Sequence, residues 1–149
     1  MQACIDETLR LKPVAPFQGL QAVRDTTIGD VRVPAGTLVW CVMRRDTLDD
    51  TRFREPHVFR PERWLDAGTT AGQSASAAKR ISMPFGAGPR ICPGRYLALL
   101  EIKMAMAMLL AHFDIKEVST PDGAEAIEQM AFTMMPVGLR MRLRPAPGR

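Results

Sequence analysis

Residues 85 to 94 read FGAGPRICPG, and the run Arg95 to Phe113 that follows is mostly Ala, Leu and Met. Three glycines in a turn-rich decapeptide rule out a regular element there, so the chain has to cross it as a tight loop. The run after it is built from strong helix formers, with polar marks at Glu101 and Lys103, and it predicts a long helix over 95–113. A helix this apolar on most faces is expected to be buried.

The remaining segments are shorter. Residues 1–11 carry apolar positions Ile5, Leu9 and Leu11 among acids and Arg10, a helical pattern that Pro13 ends. Strand character follows over 20–23. The stretch TIGDVRVPAGTLVWCVM reads as a hairpin, turned at Gly29-Asp30 and again at Pro34-Ala35-Gly36. A short polar helix is expected over 46–52, and strands over 114–118, 129–133 and 139–143. From Phe53 to Lys79 no period is sustained, and the DAGTTAGQSASAA tract predicts a long irregular segment with a flexible insert. A connection of that length inside a compact domain is usually functional.

Composition sets limits on class. The chain has 149 residues, 46% of them apolar and 24% charged, enough for one globular domain with a sizeable core. The net charge is +4, with arginines alternating with acids and no basic run interleaved with aromatics. Composition is as compatible with nucleic acid as with an acidic protein partner, but no motif supports nucleic acid, and none is expected as a partner. Glu101, Lys103 and His112 interrupt the longest apolar stretch, and the acidic start MQACIDETLRL does not resemble a secretory signal. No membrane segment is therefore expected in the chain. Cys4, Cys41 and Cys92 form no C-x-x-C pair, which disfavours a zinc site or a disulfide framework and suggests a reducing compartment. Cys4 and Cys41 sit in apolar stretches and read as core thiols. Ten methionines invite a redox reading. However, Met104, Met106 and Met108 alternate on a helix and cannot share one face, so core filling is the better account.

Three chemistries compete for the decapeptide. A dinucleotide cradle would need its third glycine at 91, which is Ile91, and there is no glycine-lysine-serine ending for a P-loop. A nucleophilic cysteine would need a histidine base, and His57 and His112 lie in no recognisable hydrolase context. A thiolate metal ligand fits better. Gly86 and Gly88 let the backbone fold tightly, and Cys92 falls just before the long helix, whose free amides and dipole favour an anion. Phe85 can shelter the sulfur, Pro93 and Gly94 set the approach to the helix, and Arg90 offers a fixed cation. One sulfur holds a bare ion poorly but suffices as the axial ligand of a porphyrin iron, with Arg90 pairing a propionate.

These residues match, at every defined position, the F-x-x-G-x-R-x-C-x-G signature of the cytochrome P-450 family of haem-thiolate monooxygenases. Two further motifs agree in order: ETLR at 7 to 10 resembles the family's E-x-x-R on its K helix, and FRPERW at 59 to 64 resembles the motif of its meander. The resemblance covers the C-terminal third of the family pattern. It implies a mainly α fold with small β-sheets (α+β): K helix, hairpins, a meander over 53–80 with its flexible insert, a cysteine-ligand loop over 85–94, a long buried L helix over 95–113, and terminal strands. Residues 1–149 then form a C-terminal haem-binding fragment of a single domain.

The resemblance also implies roles. Cys92 would ligate haem b, with Phe85, Gly86, Arg90 and Gly94 around it, and Glu7, Arg10 and Arg63 would form a structural triad. Gln21 stands where many members carry a propionate-binding arginine, with Arg24 nearby. Val14, Ala15, Phe132 and Thr133 fall where the family lines its substrate pocket, and simple packing accounts for them equally well. The implied activity is oxygen-dependent oxidation of a small organic substrate. A ferredoxin or flavoprotein would donate the electrons near Arg90 and Arg95, and the cytoplasm is the expected location. The rival expectation is a truncated chain, starting within the K helix and lacking the oxygen-binding helix, which binds haem without turnover or does not function.

Overall fold

The computed structural model describes residues 1–65 and 75–146. The chain divides into two compact units, Ala3–Gly86 and, together with Met1–Gln2, the residues from Ala87 onward.

The first unit opens with helix α1, Gln2–Leu11, which ends where Pro13 follows and where the Thr8 carbonyl accepts the Lys12 amide at 2.7 Å. Its inward face carries Ile5, Glu7 and Arg10, all buried. Strand β1 (Phe17–Gln21) pairs antiparallel with β4 (Leu38–Val42), in register from Phe17 opposite Val42 to Gln21 opposite Leu38. Between them β2 (Thr26–Ile28) and β3 (Val31–Val33) form a hairpin closed at Gly29, whose φ of +61° suits the turn. The second expected turn, at Pro34-Ala35-Gly36, does not extend that hairpin. Gly36 donates to the Ala22 carbonyl at 2.7 Å, and the chain crosses over to pair with β1 instead.

Helix α2 spans Met43–Thr47, earlier than the 46–52 that the sequence predicts. The reason is local. The Asp49 carboxylate accepts both the Thr51 amide at 2.8 Å and its hydroxyl at 2.6 Å, a turn that competes with helix over 49–51. The segment expected to be irregular holds a 3-10 turn at Pro61–Trp64 and helix α3 at Ala75–Ser82. Residues 66–74 of the expected flexible insert lie outside the described residues. Phe53, Trp64 and Ala78 form the apolar core of this unit, with Ala3 and Ile81 packed against it.

The second unit consists of a 3-10 turn at Gly88–Arg90, helix α4 (Arg95–His112) and two ribbons. Strand β5 (Phe113–Ser119) pairs with β8 (Arg140–Pro145), and β6 (Ile127–Met130) with β7 (Met134–Val137). The long helix matches its expected span, and within this chain no layer covers it. No residue of α4 is buried, and Leu97 and Met108 are 60% and 61% exposed. A helix apolar all round needs covering layers on several sides, and two-stranded ribbons do not provide them. Cys4 and Cys41, expected in the core, are also exposed. Cys4 shares the outer face of α1 with Thr8, and Cys41 lies on a ribbon opposite Gln18.

Candidate functional site

A buried carboxylate organises the first unit. Glu7 is fully buried and accepts five hydrogen bonds. Oε1 takes Arg10 Nη2 at 2.9 Å, the Arg60 amide at 2.8 Å and Arg63 Nε at 3.0 Å. Oε2 takes Arg10 Nε at 2.9 Å and the Trp64 indole N–H at 2.8 Å. The structure therefore brings together Glu7, Arg10 and Arg63, which the sequence motifs single out. Burial pushes the Glu7 pKa up, but bonds from Arg10, the Arg60 amide and Trp64, with the Arg10 charge, outweigh it and hold the group below its ordinary value.

The arginines extend the cluster into the irregular segment. Arg10 Nη1 donates to the carbonyls of Thr47 and Pro56, both at 2.7 Å. Arg63 donates to the carbonyls of Arg54 at 3.0 Å and Glu55 at 3.3 Å. Glu55, at φ 52°, has a left-handed backbone at the point where carbonyls 54, 55 and 56 are offered to two guanidiniums. Both guanidiniums also stack on the Phe53 ring, at 5.1 and 6.0 Å. Phe53 and the Thr47 carbonyl have no signal in the sequence. Trp64 had one, the last letter of FRPERW, which did not reveal its bond to Glu7. Every oxygen of this carboxylate is engaged with a protein donor, so the cluster is structural.

The cysteine loop crosses the boundary of the units and begins as a turn. The Gly86 amide donates to the Met83 carbonyl at 2.8 Å, and Gly86 has φ +73°. Phe85, inside that turn, is half-buried. Gly88, at φ +68°, starts the 3-10 turn, and the Ile91 amide closes it on the Gly88 carbonyl at 3.1 Å. A residue with a Cβ would be strained at either glycine. Cys92 is exposed, and its carbonyl accepts the Arg95 amide at 3.3 Å as α4 begins. Gly94 has φ −78°, so it uses none of glycine's special freedom, and a Cβ there would stand 3.8 Å from Cys92 Sγ, ordinary contact. Arg90 is exposed and has no ion-pair partner among the described residues. Arg95 lies over the Tyr96 ring at 5.6 Å, and its Nε is buried with no partner.

These residues suit one kind of group. Among the described residues no set of three His, Cys, Asp or Glu side chains could hold a bare metal ion. A single accessible sulfur at the start of a long helix, two residues from an uncommitted guanidinium, suits a cofactor that brings its own equatorial ligands and an anionic edge.

The other sequence candidates lie elsewhere. Val14 and Ala15 are exposed in the bend after α1. Phe132 is 97% exposed in the turn between β6 and β7, where the Ala131 amide donates to the carbonyl of half-buried Thr133 at 3.1 Å. Gln21 donates to the Gly36 carbonyl at 3.0 Å, holding a strand end, and Arg24 is exposed.

The family model described as Cytochrome P-450 matches residues 1–143. The chain belongs to the cytochrome P-450 family. It is 40% identical over 116 residues to the human mitochondrial 25-hydroxyvitamin D-1 alpha hydroxylase, covering 78% of this chain and 22% of that protein. It is 32% identical over 137 residues to the cytochrome P-450 monooxygenase ABA2 of Pyricularia oryzae strain Y34, covering 91% of this chain and 33% of that one. A crystal structure of a cytochrome P-450 superposes with TM-score 0.79 at 31% identity, over 97% of this chain and 31% of the other. A zebra fish cytochrome P-450 solved with progesterone gives TM-score 0.78 at 29% identity, over 97% of this chain and 31% of that one. The chain thus spans between a fifth and a third of the length of these relatives. Helices with small antiparallel sheets are the C-terminal architecture of this cytochrome P-450 fold. Among the described residues no helix is long and apolar enough to cross a membrane.

Proposed function

We propose that this cytochrome P-450 chain carries the haem-binding loop of a haem-thiolate monooxygenase, in which the Cys92 sulfur would hold the haem iron. The observation that supports this most is the exposed Cys92 sulfur, held on a glycine loop directly before α4. When bound, a thiolate-ligated haem supplies oxygen activation, using electrons delivered one at a time to oxidise an organic substrate.

The chain's own residues bind and orient. Cys92 would offer its sulfur to the iron, with Pro93 and Gly94 between it and the first residue of α4. Arg90 pairs a propionate carboxylate. Gly86 and Gly88 let the loop fold without a Cβ, and Phe85 limits water at the sulfur. Glu7, Arg10 and Arg63 hold the meander to the K helix. Val14, Ala15, Phe132 and Thr133 are the candidate contacts for a small organic substrate. A ferredoxin or flavoprotein is the electron donor, with Arg90 and Arg95 suited to acidic groups on it.

A second reading, haem binding without turnover by this chain alone, is favoured by the open surface of the second unit. None of its described residues is buried, so water has access along α4.

One preparation separates these readings. The chain is loaded with haem, reduced and exposed to carbon monoxide, beside Cys92→Ser. A thiolate-type Soret band in the first and not the second supports Cys92 as ligand, and the same spectrum in both rejects it. Oxygen consumption with a reduced ferredoxin then separates turnover from binding alone.

A further inference from the structure

Among the described residues two non-glycine residues have positive φ: Glu55 at 52° and Met83 at 35°. Each stands directly before a proline, Pro56 and Pro84. A left-handed backbone is rare for any residue with a side chain, and a following proline narrows the allowed range further. The Glu7 cluster accounts for Glu55, because that conformation turns successive carbonyls toward Arg10 and Arg63. Among the described residues no such cluster surrounds Met83.

Met83 instead lies between two backbone hydrogen bonds. Its amide donates to the Lys79 carbonyl at 3.3 Å, the last bond of α3, and its carbonyl accepts the Gly86 amide at 2.8 Å, closing the next turn. The helix on its N-terminal side is anchored, since Ala78 and Ile81 pack on Phe53 and Trp64, and Ser82 is buried. On its C-terminal side Pro84 fixes φ at the second position of the turn, and Phe85 occupies the third. One residue therefore converts the fixed direction of α3 into the direction of the turn that ends at Gly86.

We propose that Met83 is a positioning residue for Phe85 and Gly86: its left-handed backbone sets the line along which these two residues leave α3. The consequence for haem rests on the haem-thiolate reading, whereas the geometry does not. A glycine at 83 takes positive φ freely, but a β-branched residue resists it most, so the two substitutions should act in opposite directions.

Amide hydrogen exchange, read by NMR on the whole chain, tests the proposal without haem. Met83→Val is expected to lower protection of the Gly86 amide about tenfold while α1 keeps its protection. Met83→Gly is expected to leave Gly86 protected as in the parent chain or better. Equal protection in the two variants, or a loss in Met83→Gly, overturns the proposal, and the glycine variant decides it even if the valine variant fails to fold. In the haem-loaded chain, Met83→Val is expected to lose thiolate-type Soret intensity that Met83→Gly retains. A parent chain without that band rejects the haem reading, and the exchange experiment still decides the role of Met83.

Discussion

The indole N–H of Trp64 meets Oε2 of Glu7 at 2.8 Å, which makes an aromatic core residue a direct ligand of the buried carboxylate. The ring also packs with Phe53 and Ala78, so one side chain joins the apolar core to the ionic cluster. Trp64→Phe keeps most of the packing and removes the donor. A lost bond to a charged buried acceptor costs about 1.5–3 kcal/mol. Urea unfolding of this variant should show a loss in that range with an unchanged slope, and a loss near zero would mean that the other four donors suffice.

Glu7→Gln keeps the shape and removes the charge. Arg10 and Arg63 are then held in a buried setting without their counter-ion, and the amide turns an NH2 toward at least one guanidinium. Breaking a buried ion pair by neutralising one partner costs about 3–5 kcal/mol. The expected result is a chain whose first unit unfolds at markedly lower urea than the parent. By contrast, the exposed Arg60–Glu55 pair, at 2.7 Å, should be worth no more than about 1 kcal/mol, as Glu55→Gln would show.

What the sequence made legible was local. The span of α4, the α1 helix ended near Pro13 and the glycine loop all follow from signals within a few residues. The Glu7–Arg10 pairing needed only i, i+3 spacing, and Arg63 came from a short motif. The unread parts depend on contacts distant in sequence. The carbonyls of Thr47 and Pro56 reach Arg10 from 37 and 46 residues away, and no pattern in one chain encodes that. Helix α3 was missed because its small residues continue a Gly/Ser-rich tract that reads as loop. For α4, apolar composition states what the helix needs to bury, and its neighbours in this chain are two-stranded ribbons that do not cover it.

The β5–β8 ribbon hides another such feature. Strict alternation along FDIKEVS would put Lys116 beside Arg142 and send Glu117 to the apolar face. The register instead shifts between Ile115 and Glu117, so that Glu117 stands opposite Arg142, Asp114 opposite Arg144 and Val118 opposite Met141. The ion pairs follow, Arg142 to Glu117 at 2.7 Å and Arg144 to Asp114 at 2.9 Å. The bulged residue is therefore dispensable and its neighbour is not. Deleting Lys116 should leave thermal stability almost unchanged, whereas deleting Glu117 brings Lys116 opposite Arg142, puts like charges where an ion pair stood, and should lower the melting temperature. Equal effects would refute this account.

Trp40 lies over Gly19, its cross-strand partner, and meets Phe17 edge-on at 5.3 Å between centroids. A Cβ at Gly19 would come within 3.1 Å of the Trp40 ring. Because the ring is 59% exposed, it can tilt away. Gly19→Ala is expected to fold with a loss of about 1 kcal/mol or less and to shift the Trp40 emission to the red as the ring moves into water. An unshifted spectrum in a Trp64→Phe background, where Trp40 alone reports, would show that the ring stays in place.

Acid should act on the fold through Glu7. Its folded pKa lies below its ordinary value of 4.5, because the donors around it favour the charged form more than burial opposes it. A group whose pKa falls on folding stabilises the native state fully above its unfolded pKa, and that contribution is lost as pH falls through the folded value. The Glu7 contribution should therefore be complete above about pH 5 and decline below 4.5. Exposed carboxylates such as Asp25, Asp49 and Asp114, which are also held low by neighbouring donors, share that limb, so the parent curve alone does not assign it. Comparing urea midpoints of the parent and Glu7→Gln between pH 7 and pH 3 isolates the term. The gap between the two curves should stay constant down to about pH 5 and then narrow, since the glutamine variant has no carboxylate to protonate. A gap that stays constant to pH 3 would mean that the buried carboxylate does not drive the acid transition.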